Sequence, residues 1–185
     1  MSVNNEQEFR RRVEKSLDTN NLVLHVPIPD ELKQAIKVLP QHADILSKLI
    51  KEKPFDTSGL KNGLYCGIEL KNVKEGLTFN LKKLEKHQIK ALVDCNKKGG
   101  QGWVLVRFKK GLTSGERKRL ETKYFAIDTA FAIKIDQVVK WIKAKIFSIP
   151  IEVLVKECIV LNYDPLLEKY DLDILWHKKI VKKKV

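Results

Sequence analysis

The sequence lacks the features that would place it in several large protein classes. Its three cysteines, Cys66, Cys95 and Cys158, are odd in number, widely spaced and never in a C-x-x-C pair. That excludes a disulfide framework and a thiolate zinc site, and it suits a reducing compartment. No apolar run reaches the roughly 18 residues of a membrane span. The longest candidate, 149–163, is interrupted by Pro150, Glu152, Lys156 and Glu157. The stretch 4–12 is polar and charged, without the apolar core of a signal peptide. There is no internal repeat and no linker rich in Gly, Ser or Pro. The expectation is one soluble, cytoplasmic domain over 1–185 with no membrane partner, from a bacterial, phage or mobile-element source.

What the chain has in excess is positive charge. Lys and Arg number 36 against 23 Asp and Glu, a formal net charge of +13. Such an imbalance suits a polyanionic partner, because each phosphate neutralised by Lys or Arg releases condensed counterions. A Lys-rich composition with no nucleic-acid role is the plainer alternative.

Hydrophobic spacing divides the chain into elements. Residues 5–18 predict an amphipathic helix, with Phe9, Val13 and Leu17 on one stripe. Residues 22–26 predict a short strand, and 30–51 two short helices broken at Pro40. Turn signals at Ser58-Gly59, Asn62-Gly63 and Glu75-Gly76 predict a hairpin or meander over 54–79. Asn80 can cap a helix running to about Lys98 and stopping at Gly99-Gly100. Residues 102–108 (GWVLVRF) form the strongest strand signal, apolar enough to be sandwiched. One or two strands in 123–135 and helices at 136–146 and 150–160 complete the expected order, before a basic tail at 177–185. The fold class is α/β, an α+β mixed sheet flanked by helices.

The chemistry concentrates in Pro54-Phe55-Asp56 and in LYCGIELK at 64–71. In a strand, Leu64, Cys66, Ile68 and Leu70 share an apolar face, which puts Tyr65, Gly67, Glu69 and Lys71 on the other. Gly67 leaves room there for a ligand or another backbone. A turn between Gly59 and Gly63 would bring Asp56 beside Glu69. Paired carboxylates are hard oxygen ligands that hold Mg²⁺ while leaving positions for water and phosphate. Such an ion polarises a phosphoryl oxygen and activates water. Lys71 can orient that water or bind the scissile phosphate, and the Leu70 backbone carbonyl is a further candidate ligand. Taken alone, Glu-x-Lys is also what any charged strand face supplies.

The run PFD-x₁₂-ELK is followed by Thr78-Phe79-Asn80-Leu81, His87-Gln88 and GG-x₃-VLVRF. Over about residues 54–109 this pattern resembles the RecU family of Holliday junction resolvases, within the PD-(D/E)XK superfamily of restriction-endonuclease-like nucleases. The resemblance implies a crossover-junction endodeoxyribonuclease of recombination and repair. Mg²⁺ would be its cofactor, with Mn²⁺ able to substitute, and a four-way DNA junction its partner. Asp56 and Glu69 would be the metal ligands, Lys71 the catalytic lysine, and Gln88 the helix-borne polar residue near the metal. Read from the residues alone, Gln88 interrupts an apolar helix stripe and is either a satisfied amide or a group aimed at the site. A homodimer is expected, since symmetric nicking needs two sites about a two-fold axis, and the apolar stretch 124–161 is its candidate interface.

The chain also departs from the family pattern. Family members carry a Glu just after a Phe on the first helix, as an additional metal-site acid, and Arg10 stands there. Glu6, Glu8 or Glu14 could take over, with Glu6, one turn away on the same side, preferred. The family's junction-inserting stalk has no recognisable counterpart, although 27–53 is where an insertion falls. Candidate phosphate contacts are Arg10, Arg11 and Arg12 on the first helix, and Lys82, Lys83, Lys86 and His87 near the second. Trp103, Trp141 and Trp176 are expected in the core or an interface, and Arg107 as a partnered structural residue. The alternatives are a duplex-DNA nuclease of restriction or mobile-element type, and a non-catalytic basic nucleic-acid-binding protein on the same fold.

Overall fold

The computed structural model describes residues 5–18, 56–61, 63–109, 115, 129–161, 163–164 and 166–176. The expected strand at 22–26, the two helices of 30–51, the insertion at 27–53 and the tail at 177–185 lie outside the described residues, as does the side chain of Glu6.

Helix α1 spans Asn5–Asp18, and its expected stripe is its buried one: Phe9, Val13 and Leu17 are at most 1% exposed. A helix of 14 residues is marginal alone. Burial of these side chains, at about 1.5–3 kcal/mol each, holds it to the sheet. The main sheet has the order β1 (Thr57–Lys61), β2 (Leu64–Val73), β4 (Gln101–Phe108), β5 (Thr129–Lys134), β7 (Ile159–Leu161). Only β2 and β4 run parallel, so they need a crossover. That crossover contains β3 (Thr78–Asn80) and helix α2 (Lys86–Lys97).

Strand alternation sorts the core onto the two faces of the sheet. Leu64, Cys66, Ile68, Leu70, Trp103, Leu105, Ala130 and Ala132 pack with α1 on one face. Val104, Val106, Phe108, Phe131 and Ile133 pack on the other, against α2, α3 (Ile135–Lys143) and α4 (Ile151–Glu157). The short pair of β3 with β6 (Ser148–Pro150) closes this second face. Gly102 lets α2 lie close on β4, since a Cβ there would meet the Leu92 carbonyl oxygen at 2.5 Å. All three tryptophans are buried, as expected.

Several boundaries differ from expectation. Asn80 caps only a 3₁₀ turn, Leu81–Lys83, by accepting from the Lys82 N–H at 2.9 Å. Helix α2 starts afresh at Lys86 with its own capping box. The helix expected over 150–160 stops at Glu157, because Cys158 is extended and leads into β7. The apolar stretch proposed as a dimer face is largely interior: Ala130, Phe131, Ala132, Ile133, Ile135, Val138, Ile151 and Leu154 are all buried in the core.

Candidate active site

The β1–β2 hairpin turns at Gly63, whose φ of +73° suits glycine. Its register places Thr57 opposite Ile68, so Asp56, one residue earlier, falls beside Glu69 and Leu70. The 13-residue spacing from Asp56 to Glu69 is thus the length of one hairpin. Glu69 and Lys71 project from the face opposite α1, under α2. The Cys95 thiol of α2 bonds the Gly67 backbone. Gln88, seven residues earlier, lies about 10 Å back along the helix. Lys71 lies about 13 Å on from Gly67 along the strand. The start of α2 therefore overlies the Glu69–Lys71 end of β2.

The carboxylates differ in environment. Asp56 Oδ2 accepts the Leu70 N–H at 2.9 Å, and Oδ1 is paired with the Arg10 guanidinium. Glu69 is 1% exposed, with Lys71 Nζ 2.7 Å from its Oε1. Lys71 thus meets one carboxylate oxygen, and the other, Oε2, has no hydrogen-bond partner among the described residues. Burial pushes the Glu69 carboxyl up to about 7; the nearby Asp56 charge adds to the rise, and Lys71 opposes it. The cluster reaches solvent through Asp56 and Lys71, whose side chains are 15% and 17% exposed.

Lys71 offsets part of the cost of burying the Glu69 carboxylate, and the unpartnered Oε2 leaves room for a second cation. Two carboxylates and the Leu70 carbonyl, which leaves β2 on the same edge as the N–H bonded to Asp56, fit one divalent ion completed by water. No group of three or more His, Cys, Asp or Glu able to hold a metal exists among the described residues. The donor set is therefore sparse.

Other expected site residues are placed as follows. Gln88 Oε1 accepts the Glu85 N–H at 3.0 Å, closing the capping box of α2. His87 is half-buried, with Nδ1 3.4 Å from Glu85 Oε2. Cys95 of α2 lies beside the Gly67 backbone. The arginines of α1 are each paired with a carboxylate of the chain. Arg10 pairs with Asp56, Arg11 lies 3.3 Å from Glu168, and Arg12 lies 2.5 Å from Glu8 with its guanidinium over the Tyr163 ring. A phosphate at any of the three would compete with that carboxylate. Lys82, Lys83 and Lys86 are exposed beside the start of α2.

Of the acids considered on α1, Glu8 lies between two arginines, Arg12 at 2.5 Å and the buried Arg107 at 3.6 Å. The sequence reading missed that Arg10 pairs with Asp56. Burial pushes the Cys66 and Cys158 thiols up to about 12, which rules them out as nucleophiles near neutral pH.

No curated protein matches the chain. Among solved structures, Hjc from Archaeoglobus fulgidus, a Holliday junction resolvase from an archaeal hyperthermophile, is 17% identical. That similarity covers 51% of this chain and 74% of the other, at a TM-score of 0.29. The family model for Recombination protein U, RecU, matches residues 21–172. That span includes the hairpin carrying Asp56, Glu69 and Lys71, and the chain belongs to the RecU family of Holliday junction resolvases, nucleases of the PD-(D/E)XK fold.

Proposed function

We propose that the chain is a divalent-metal-dependent endonuclease that nicks four-way DNA junctions in recombination and repair, working as a homodimer with Mg²⁺ or Mn²⁺. The observation that carries this reading is the buried Glu69 carboxylate, held by Lys71 at one oxygen and without a hydrogen-bond partner at the other, beside Asp56. A purely structural ion pair would have satisfied both oxygens.

In this reading Asp56, Glu69 and the Leu70 carbonyl hold the ion, which when bound supplies Lewis-acid polarisation of the scissile phosphate. Lys71 donates to a non-bridging phosphate oxygen or holds the attacking water in line, and its pairing with Glu69 keeps the ammonium aimed into the site. The Leu70 N–H fixes the orientation of Asp56. The Gln88 amide nitrogen is a neutral donor to the phosphate. Lys82, Lys83 and Lys86 hold flanking phosphates and set register without reading bases.

One observation favours the non-catalytic alternative: Arg10 already neutralises Asp56. Incubation with a synthetic four-way junction, a matching linear duplex and single-stranded DNA, in Mg²⁺ or EDTA, separates the readings. Paired nicks in the junction alone are expected, lost with EDTA, Asp56→Asn or Lys71→Ala while binding persists. Equal cutting of duplex would leave a nuclease but remove the resolvase. Binding without cutting in any divalent metal would leave only a nucleic-acid-binding protein.

A further inference from the structure

The connection from α3 to β6, residues 144–147, is held from both ends yet presents apolar side chains to water. The Lys145 N–H donates to the Ile142 carbonyl at 3.0 Å and the Ile146 N–H to the Trp141 carbonyl at 2.9 Å. This is a Schellman-type helix end whose left-handed position is normally glycine. Here it is Lys145, at φ 59°. Beyond it, the Leu81 N–H donates to the Phe147 carbonyl at 2.8 Å, and β6 pairs with β3. Ile146 and Phe147 are nevertheless 46% and 37% exposed. A simple turn would be more stable with glycine at 145 and polar residues after it.

The surroundings carry charge of one sign. Lys82 Nζ lies 5.8 Å from the centre of the Phe147 ring, within cation–π range. Lys83, Lys86, Lys143 and Lys145 are exposed nearby in the chain, and Glu85 is the sole carboxylate within 80–88 and 140–150. Because α2 runs back along β2, this patch lies on the face of the sheet that carries Glu69 and Lys71, and at their end of it.

We propose that Phe147, with Ile146 beside it, stacks on a base left unpaired or unstacked at the branch point of the DNA, while Lys82, Lys83 and Lys145 hold the adjoining phosphates. This rests on the DNA reading above and extends it to how a branch is distinguished from continuous duplex. In duplex both faces of every base are already stacked, so an aromatic edge gains little. At a branch point a free face is exposed, and each stacked base is worth roughly tenfold or more in affinity. An apolar wedge flanked by lysines is a known way to engage an opened base step.

The test uses the full chain in Ca²⁺ or EDTA, so that cleavage does not enter. Binding is measured by fluorescence anisotropy on a four-way junction and on a linear duplex, with 2-aminopurine placed at the branch point as a report of stacking. Phe147→Ala should bind the junction roughly tenfold more weakly, change duplex binding little, and abolish the 2-aminopurine response. Phe147→Trp should retain both. Equal melting temperatures of the two variants would exclude misfolding. Junction binding and 2-aminopurine response unchanged in Phe147→Ala would overturn the proposal. So would conversion of a dimer to monomer by that variant in sedimentation, which would make the patch a self-association surface. Wild-type protein that binds no DNA would overturn both readings. Phe147-dependent junction binding without Mg²⁺ cleavage would uphold this inference and remove only the nuclease.

Discussion

Replacing Glu69 with Gln should stabilise the metal-free protein, by an amount that depends on pH. The Glu69 carboxyl titrates near 7 in the folded chain, against 4.5 ordinarily, chiefly because it is buried. Between those values the folded state binds more protons than the unfolded state. Wild-type stability therefore falls as pH rises through this window and is level on either side. The displacement corresponds to about 3 kcal/mol once pH exceeds 7, at about 1.4 kcal/mol per pH unit. It already includes the attraction of Lys71, which lowers the value. Gln is neutral at every pH and close in shape to the protonated acid, so the variant escapes this loss. Urea denaturation in EDTA should give nearly equal stabilities at pH 4 and a difference of about 3 kcal/mol favouring Glu69→Gln at pH 8. In a thermal scan that is a rise of roughly 6–12 °C for a chain of this size. Mg²⁺ should restore stability to wild type and not to the variant, because it binds only the intact folded site. A variant no more stable than wild type at pH 8, or a difference independent of pH, would refute the claim that Glu69 is a strained, cation-seeking carboxylate.

Arg10→Ala should tighten Ca²⁺ binding a few-fold, about 1 kcal/mol, because it removes a cation competing for Asp56; calorimetry that shows weaker binding would contradict this. Lys145→Gly should raise stability by about 1 kcal/mol by relieving the left-handed backbone, while weakening junction binding in the same anisotropy assay; a loss of stability would remove the strain argument. Gly102→Ala should cost about 1–3 kcal/mol in urea denaturation, since its Cβ would collide first with the Leu92 backbone of α2, which cannot swing aside, and also crowd the Ile135 side chain.

Much of this protein could be read from local pattern. The stripe of Phe9, Val13 and Leu17 defined α1, because a helix brings every fourth residue to one side. Alternation along 64–71 put Glu69 and Lys71 together on the face away from the apolar one, since successive residues of a strand point to opposite faces. The spacing from Asp56 to Glu69 then matched a single hairpin. What failed was whatever depends on competition between local signals. Asn80 and Glu85 both offer caps, and the chain uses both, making a 3₁₀ turn and a shorter helix in place of one long one. Gln88 read as an interruption of an apolar stripe because that stripe began too early.

Only the tertiary structure decided how the charges are partnered. Arg10 and Asp56 are 46 residues apart, and Arg107 meets Glu8 from the opposite end of the nuclease segment. No periodicity reports such pairs, because an ion pair depends on distance in space and on which competing carboxylate is nearer. Burial of Glu69 is likewise a property of the packed fold. The sequence by itself determined that an acid and a lysine share a strand face. Packing α2 over that face withdrew the acid from water, and desolvation turned an ordinary charged strand residue into the centre of a candidate active site.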